Sequence, residues 1–282
     1  MYEDGIEPKT DKERVRFWQD RISISKRFKE RSFDDLGVER FCKYYKGDYD
    51  IRLGNMSVPP INEVFAYTNT LAALLNFRNP AIAVNPKKTG TILGGRILEQ
   101  CVAYDWRELK IKEETDLELI DTPLSGMAWH KTGYWVKTQG KGDDYSLLDE
   151  GIYSTRVSWR DIVWNIGSIR PPVDCQWIAH RTIKPTEEVK QMYPGNPDLK
   201  GGAHPHIKRE DMRVSTYKDD LNYTSVWEIY DKKTKTVLCI SEGYEKFLKK
   251  PGKWPDYQKE FPFDMLAFNF APDEPFPLPD IK

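Results

Sequence analysis

The chain has 282 residues, enough for one large domain or two modest ones. Its formal net charge of -1 argues against a protein whose main task is to grip DNA, because such domains carry a clear basic excess; it does not exclude one that DNA merely passes. Hydrophobic residues at 39% are a little low and charged residues at 31% a little high for a globular domain, while nine Trp and fifteen Tyr supply large flat side chains that suit a core or an extensive subunit interface.

The four cysteines, Cys42, Cys101, Cys175 and Cys239, are far apart and form no CxxC pair. That is the pattern of reduced, buried thiols in a cytosolic product. No apolar run approaches the roughly 18 residues that span a bilayer. The opening MYEDGIEPKTDKER lacks the apolar core of a signal peptide. Together these features predict a protein made in the cytoplasm, soluble or self-assembling there, with no membrane partner.

Residues 1–10 are polar and loose. Asp11–Arg31 is charge-dense, with Val15, Trp18 and Ile22 on one line and Phe17, Ile24 and Phe28 on a neighbouring one, which predicts a helix with an uneven apolar stripe. A second short helix is predicted at Phe33–Tyr45, and Gly47, Gly54 and Pro59-Pro60 mark loop. Asn62 can cap a helix over Asn62–Arg78 that places Val64, Thr68, Leu71 and Leu75 on one face. Asn79-Pro80 must end it, since proline blocks continuation. Ala81–Val84 reads as a short buried strand closed by Asn85-Pro86. The glycine-rich GTILGG (residues 90–95) then leads into one long helix, Leu93–Met127, which Pro123 kinks or breaks near its end.

From Gly133 the hydrophobic period changes to two. Tyr134–Val136, Ile152–Val157, Trp159–Trp164 and Gln176–Ile183 read as strands or strand-turns. Pro185–Glu188 starts a helix with Thr186 as cap and acids in its first turn, and Tyr193-Pro194-Gly195 ends it. Asn196–Asp220 is polar and irregular. Thr224–Asp231 and Thr236–Ser241 form a hairpin around Lys232–Lys235, with Trp227, Ile229 and Val237 on one packed face. Phe263–Phe270 is a last strand, and the proline-rich tail cannot be regular structure. The expected class is α+β, helices first and then mostly antiparallel strands, divided into an N-terminal helical segment at 1–60 and an α+β domain at 61–282.

No stretch carries a strong chemical signature. His204-Pro205-His206, with Glu210 and Asp211 nearby, is the only close histidine pair, but the intervening proline and the lack of a neighbouring Cys favour a solvated loop over a metal site. GTILGG lacks the GK[ST] ending of a phosphate loop and reads better as a hinge. His130 and His180 have no matching serine or cysteine signature. These readings assign no catalytic residue, no metal and no cofactor. Arg14, Arg16, Arg21, Lys26, Arg27, Lys29 and Arg31 form the densest basic cluster, a candidate interaction face. The interspersed Glu13, Asp20 and Glu30 make a solvated helix the plainer reading. Trp18, Trp159, Trp164 and Trp177 are candidate interface aromatics, although core packing accounts for most tryptophans.

Taken in order, several segments resemble the portal (head-to-tail connector) proteins of tailed bacteriophages. They are Phe41–Gly47 (FCKYYKG), Ile61–Phe65, the P-x-I-x-V-x-P stretch Pro80–Pro86, and the long helix followed by Gly126…Gly133-Tyr134-Trp135. Pro172–Ile178 leading to Val189–Pro194, Val226–Asp231, Trp254-Pro255 and Phe263–Pro272 continue the series. Each motif is weak alone; their order, over nearly the whole chain, carries the likeness. It implies a wing-like α+β fold and a non-enzymatic subunit of a closed homo-oligomeric ring, about twelve copies around one capsid vertex. Double-stranded DNA would pass through that ring without sequence recognition. The implied partners are the major capsid protein, the terminase motor, and tail or head-completion proteins, in a virion assembled in the host cytoplasm. Portal chains continue past a segment like Pro275–Pro279 into stem helices and a clip, so this chain, which stops at Lys282, is expected to be the wing part, with no assignable channel-lining residues. Two other classes fit less well: a monomeric Trp-rich module binding nucleic acid or carbohydrate through an exposed row of Trp159, Trp164 and Trp177, and a hydrolase using carboxylates brought together by folding.

Overall fold

Proline, glycine and the change of hydrophobic period set most element boundaries. The computed structural model describes residues 8–48, 61–87, 91–139, 146–206, 222–255 and 258–281; Gly54, Pro59-Pro60, Gly90, Glu210 and Asp211, named above, lie outside them, as does the end of the polar stretch after residue 206. The fold is α+β, with six α-helices and antiparallel sheets among the described residues.

Helix α1 (Asp11–Leu36) runs past the expected end at Arg31 and stops where Gly37 takes a left-handed φ of 78°; α2 (Val38–Tyr45) follows. In α3 (Glu63–Leu75) the Asn62 side chain accepts the Phe65 N–H at 2.9 Å, the cap expected from the sequence. The single helix expected over Leu93–Met127 is two, α4 (Ile92–Glu108) and α5 (Ile111–Ser125). Lys110, at a left-handed φ of 51°, interrupts them, and its carbonyl opens α5 by accepting the N–H groups of Glu113 and Glu114 at 2.9 and 3.4 Å. Pro123 breaks nothing: it sits inside α5, which Gly126 ends at φ 85°. The interruption lets each half present its own stripe. The C-terminal half of α5 is buried, whereas α4 is mostly exposed.

Ala81–Val84, expected as a buried strand, joins no sheet. Pro80 and Pro86 carry no N–H, the Val84 N–H donates to Glu99 Oε2 at 3.3 Å, and only Ile82 and Val84 are half-buried. The segment lies close on α4 at Gly95, where a Cβ would come within 3.3 Å of the Val84 carbonyl oxygen.

The strands are β1 (Ala128–Gln139), β2 (Ser146–Val157), β3 (Ile162–Trp164), β4 (Trp177–Pro185), β5 (Tyr223–Asp231), β6 (Thr236–Ser241), β7 (Lys249–Lys253) and β8 (Phe263–Leu266), with α6 (Thr186–Met192) between β4 and β5. Pro185, not Thr186, takes the cap position of α6; the Thr186 hydroxyl donates to the Asn222 carbonyl at 3.0 Å instead. The hairpin β5–β6 pairs Val226 with Ser241 through Asp231 with Thr236, as its turn signal predicts.

The chain divides into two units, Met1–Arg31 with Arg160–Phe261, and Ser32–Trp159 with Pro262–Lys282. The expected division near residue 60 differs from this one: α1 packs on strands far along the chain, while α2 packs on α3 and α5. In the first unit, β3-β4-β5-β6-β7 form one antiparallel sheet. Val15, Trp18 and Ile22 of α1 bury against Val163, Trp177, Ala179, Trp227, Ile229 and Ile240 on one face, and Val189, Leu199, Val226, Cys239 and Leu248 cluster separately. Covering both faces is why β5 is buried at consecutive positions rather than alternate ones. Each fully buried large apolar side chain contributes about 1.5–3 kcal/mol.

In the second unit the sheet order is β2-β1-β8. β1 and β2 form a long hairpin from Trp129↔Val157 to Lys137↔Asp149, and β8 pairs only with the first residues of β1. Phe41 of α2, Leu124 of α5 and Ile281 form a small core, with Val64 and Ile120 packed against it.

Candidate functional site

The seven basic residues of α1 do not share a face. At about 3.6 residues per turn their spacing distributes them around the helix, and each has its own environment. Arg14 pairs with Asp11 at 3.6 Å, Arg21 lies over the Phe17 ring at 4.3 Å, and Arg27 donates to Ser23 Oγ at 3.1 Å. Arg16 and Arg31 are exposed, and Lys26 lines a cleft of about 340 Å³ together with Gln19, Trp227 and Glu242.

Lys29 is buried. Its ammonium group donates to the carbonyls of Ile162 at 2.6 Å and Arg160 at 3.4 Å, tying α1 to β3. Burial, opposed by the nearby Asp161 carboxylate, brings its pKa down to about 7. Asp161 in turn accepts from Arg181 Nε at 2.8 Å and faces His206 Nε2 at 3.0 Å. Burial pushes the Asp161 carboxyl up, but His206 and Arg181 outweigh it and hold it below the usual range. His206, one of the pair weighed as a metal ligand, is thus committed to Asp161, and His204 packs edge-on against Tyr223 at 4.8 Å. Among the described residues no three His, Cys, Asp or Glu side chains are grouped to hold a metal.

The tryptophans offered as interface aromatics lie inside the chain. Trp18 and Trp177 meet edge to face at 5.6 Å, Trp159 packs on Phe33 at 5.0 Å, and Trp164 is buried in β3. Trp159, Trp164 and Trp177 therefore offer no exposed stacking row. Core packing wins because an indole buries more apolar area than almost any other side chain. The cysteines are all free, but the expectation of buried thiols holds only for Cys175 and Cys239; Cys101 is exposed on α4. Burial pushes the Cys175 thiol up to about 12.

Folding assembles one polar constellation that the sequence reading did not anticipate. Glu114, Glu118 and Asp121 fall on one stripe of α5 at i, i+4 and i+7. Glu114 accepts the backbone N–H of Arg156 at 2.6 Å and the Thr155 hydroxyl at 3.1 Å. Asp121 takes the Arg156 guanidinium in a fork, 2.5 Å to Nε and 2.8 Å to Nη2. Burial opposes the Arg156 charge, but Asp121 with Glu114 and Glu118 outweighs it and raises its pKa. Between these contacts Glu118 holds His130 Nδ1, and His130 Nε2 lies 2.5 Å from Ser154 Oγ. An acid, an imidazole and a hydroxyl in that order can move a proton from serine to histidine. The same three carboxylates also form a continuous polar seam that docks α5 on the β1–β2 hairpin and fixes its register. The acidic spacing was the available signal; its partners are brought in from strands far away in sequence.

The second unit also leaves large apolar side chains uncovered. Leu74 is 72% exposed, Phe77 73% and Leu93 71%, and Ile97, Leu98 and Tyr104 add to them along α4. A groove of about 690 Å³ on α4 is lined by Ile97, Cys101 and Tyr104. The far part of the hairpin exposes Trp135, Val136, Leu147, Leu148 and Ile152. Among the described residues no helix is long and apolar enough to cross a membrane.

Compared with known proteins, the chain matches no family model and no curated sequence.

Proposed function

We propose that this chain is a portal subunit: a structural protein that assembles into a closed ring at one capsid vertex, through which double-stranded DNA is packaged and ejected. The observation that carries assembly is the uncovered apolar surface of α3, α4 and the β1–β2 hairpin, since a monomer rarely leaves so many large side chains in water. The order of the portal-like segments supplies the identity of the assembly, and the α+β architecture is compatible with it. A net charge of -1 suits a ring whose cargo must slide, because each phosphate contact adds salt-dependent grip. On this reading about twelve copies form the ring. The capsid protein, the terminase motor and the tail dock on it, and the motor supplies the hydrolysis of ATP.

The mass of the particle in solution, with negative-stain images of the same sample, tests this. Rings with a central hole are expected. A monodisperse 33.0 kDa monomer at micromolar concentration overturns it.

A second reading rests on one observation, the Glu118–His130–Ser154 chain. It would make the protein a serine hydrolase of acyl groups. A fluorophosphonate probe that labels wild type but not Ser154→Ala supports that reading, and no labelling removes it.

A further inference from the structure

Two strand-like edges in the second unit join no further strand among the described residues, and they are complementary. The first is the segment between Pro80 and Pro86. Its exposure alternates, Ala81, Ala83 and Asn85 outward and Ile82 and Val84 half-buried, the period-two pattern of an extended chain. The Val84 N–H donates to Glu99; the backbone groups of Ala81, Ile82, Ala83 and Asn85 have no partner among the described residues.

The second is the outer edge of β2, which among the described residues pairs only with β1. Alternate residues of such a strand point their N–H and C=O groups away from the neighbour. The N–H of Arg156 goes to Glu114 and that of Glu150 to the Asp149 side chain, so even-numbered residues face outward. Register is regular between them, which puts the backbone groups of Ile152 and Ser154 on the open edge. Glu114 closes one end of that edge, leaving a free stretch about as long as residues 81–85.

Charge also matches. Residues 78–87 carry Arg78 and Lys87 and no acid, whereas residues 147–154 carry Asp149 and Glu150 and no base. Ile82 and Val84 on one side, and Leu148 and Ile152 on the other, supply apolar side chains. An unpaired edge of this kind is a template for another chain.

We infer that residues 81–85 of one copy add as a strand to the β2 edge of the next copy. This rests on the ring reading and specifies its contact. The two edges differ, so the contact is head-to-tail and propagates around a ring rather than stopping at a dimer. The two flanking prolines limit the pairing to a few residues, which keeps each contact weak and lets closure select the ring.

The test uses the full chain with Cys101→Ser as background. Ala83→Cys and Ile152→Cys proteins are prepared separately, then mixed with a short bismaleimide. The mixture should give a linked pair at about tenfold the yield of either alone, because a docked contact holds the thiols at millimolar effective concentration. In parallel, Ile152→Pro deletes an outward N–H, a change an edge strand tolerates. It should shift the particle from ring to monomer mass. Rings that form in wild type and Ile152→Pro alike, with no cross-link in the mixture, overturn strand addition and leave the ring reading standing. Wild type that never assembles and never cross-links overturns both. If Ile152→Pro misfolds by circular dichroism, the cross-link alone decides.

Discussion

The first unit buries the larger apolar core, although Val173 and Met192 stay exposed, and the second leaves more of its large apolar side chains in water. The five-stranded sheet is covered by α1 on one face and has a second cluster of buried residues around α6, with Trp227, Ile229 and Ile240 almost fully enclosed. The second unit holds its α5 on the hairpin by a row of carboxylates and leaves α3, α4 and the hairpin's far part in water. A unit with an extensive core depends less on neighbours. One with a polar seam and a bare apolar surface gains most from them. On the proposed ring reading, the difference would put the assembly surface in the second unit and leave the first as scaffold.

The largest effect that would test this contrast is in the scaffold. Trp18→Ala empties the contact with Trp177 and should cost about 3–5 kcal/mol in urea unfolding. A loss under about 1 kcal/mol would mean that α1 is not part of a true core. Next is the seam. Arg156→Ala strands the buried Asp121 carboxylate. The expected loss is about 2 kcal/mol, below the roughly 3–5 of a fully buried pair because Arg156 retains 26% side-chain exposure. Asp121→Asn combined with it should restore part of that loss.

A smaller, pH-dependent effect belongs to Lys29. In the unfolded chain its amine is protonated up to about 10.5, but in the fold only below about 7. Between these values the unfolded state binds the extra proton, so stability rises with pH, by up to about 1.4 kcal/mol per unit. Below about 7 both states bind it and the slope vanishes. Lys29→Met removes this contribution. The wild-type minus variant difference in urea midpoint should therefore grow between about pH 7 and about pH 9. Burial pushes Cys175 and Tyr193 up, which acts in the opposite direction at high pH, but it cancels in that difference. A flat difference would mean that Lys29 keeps its proton in the fold.

Local signals in the sequence mapped well onto local structure. The Asn62 cap, the Lys232–Lys235 turn and the α+β class were legible because a few adjacent residues determine each. The interruption at Lys110 was not, since a lysine in a left-handed conformation leaves no mark in composition and helical spacing continues across it. The units were hidden for the opposite reason: α1 belongs with strands more than a hundred residues away, and hydrophobic period says which face is buried but not against what. The same gap explains the site. The basic residues of α1 cluster in sequence yet point in several directions, while Glu118, His130 and Ser154, scattered in sequence, converge. Tryptophans looked like interface material by type, and burial assigned them to the core.

The smallest expected change in stability is the one that separates fold from assembly. Leu74→Ser and Phe77→Ser each remove a side chain that touches mostly water in the isolated unit, so neither should change the urea-unfolding free energy of the dilute protein by more than about 0.5 kcal/mol. If neighbours cover these side chains, the same substitutions lose about 1.5–3 kcal/mol at each contact. A ring multiplies that loss, because every copy carries the change and every contact feels it. The expected result is an unchanged monomer and a particle that falls apart. Equal sedimentation of wild type and both variants, at concentrations where wild type is assembled, would move the assembly surface off α3. The hairpin and the 81–85 segment would then have to carry it alone.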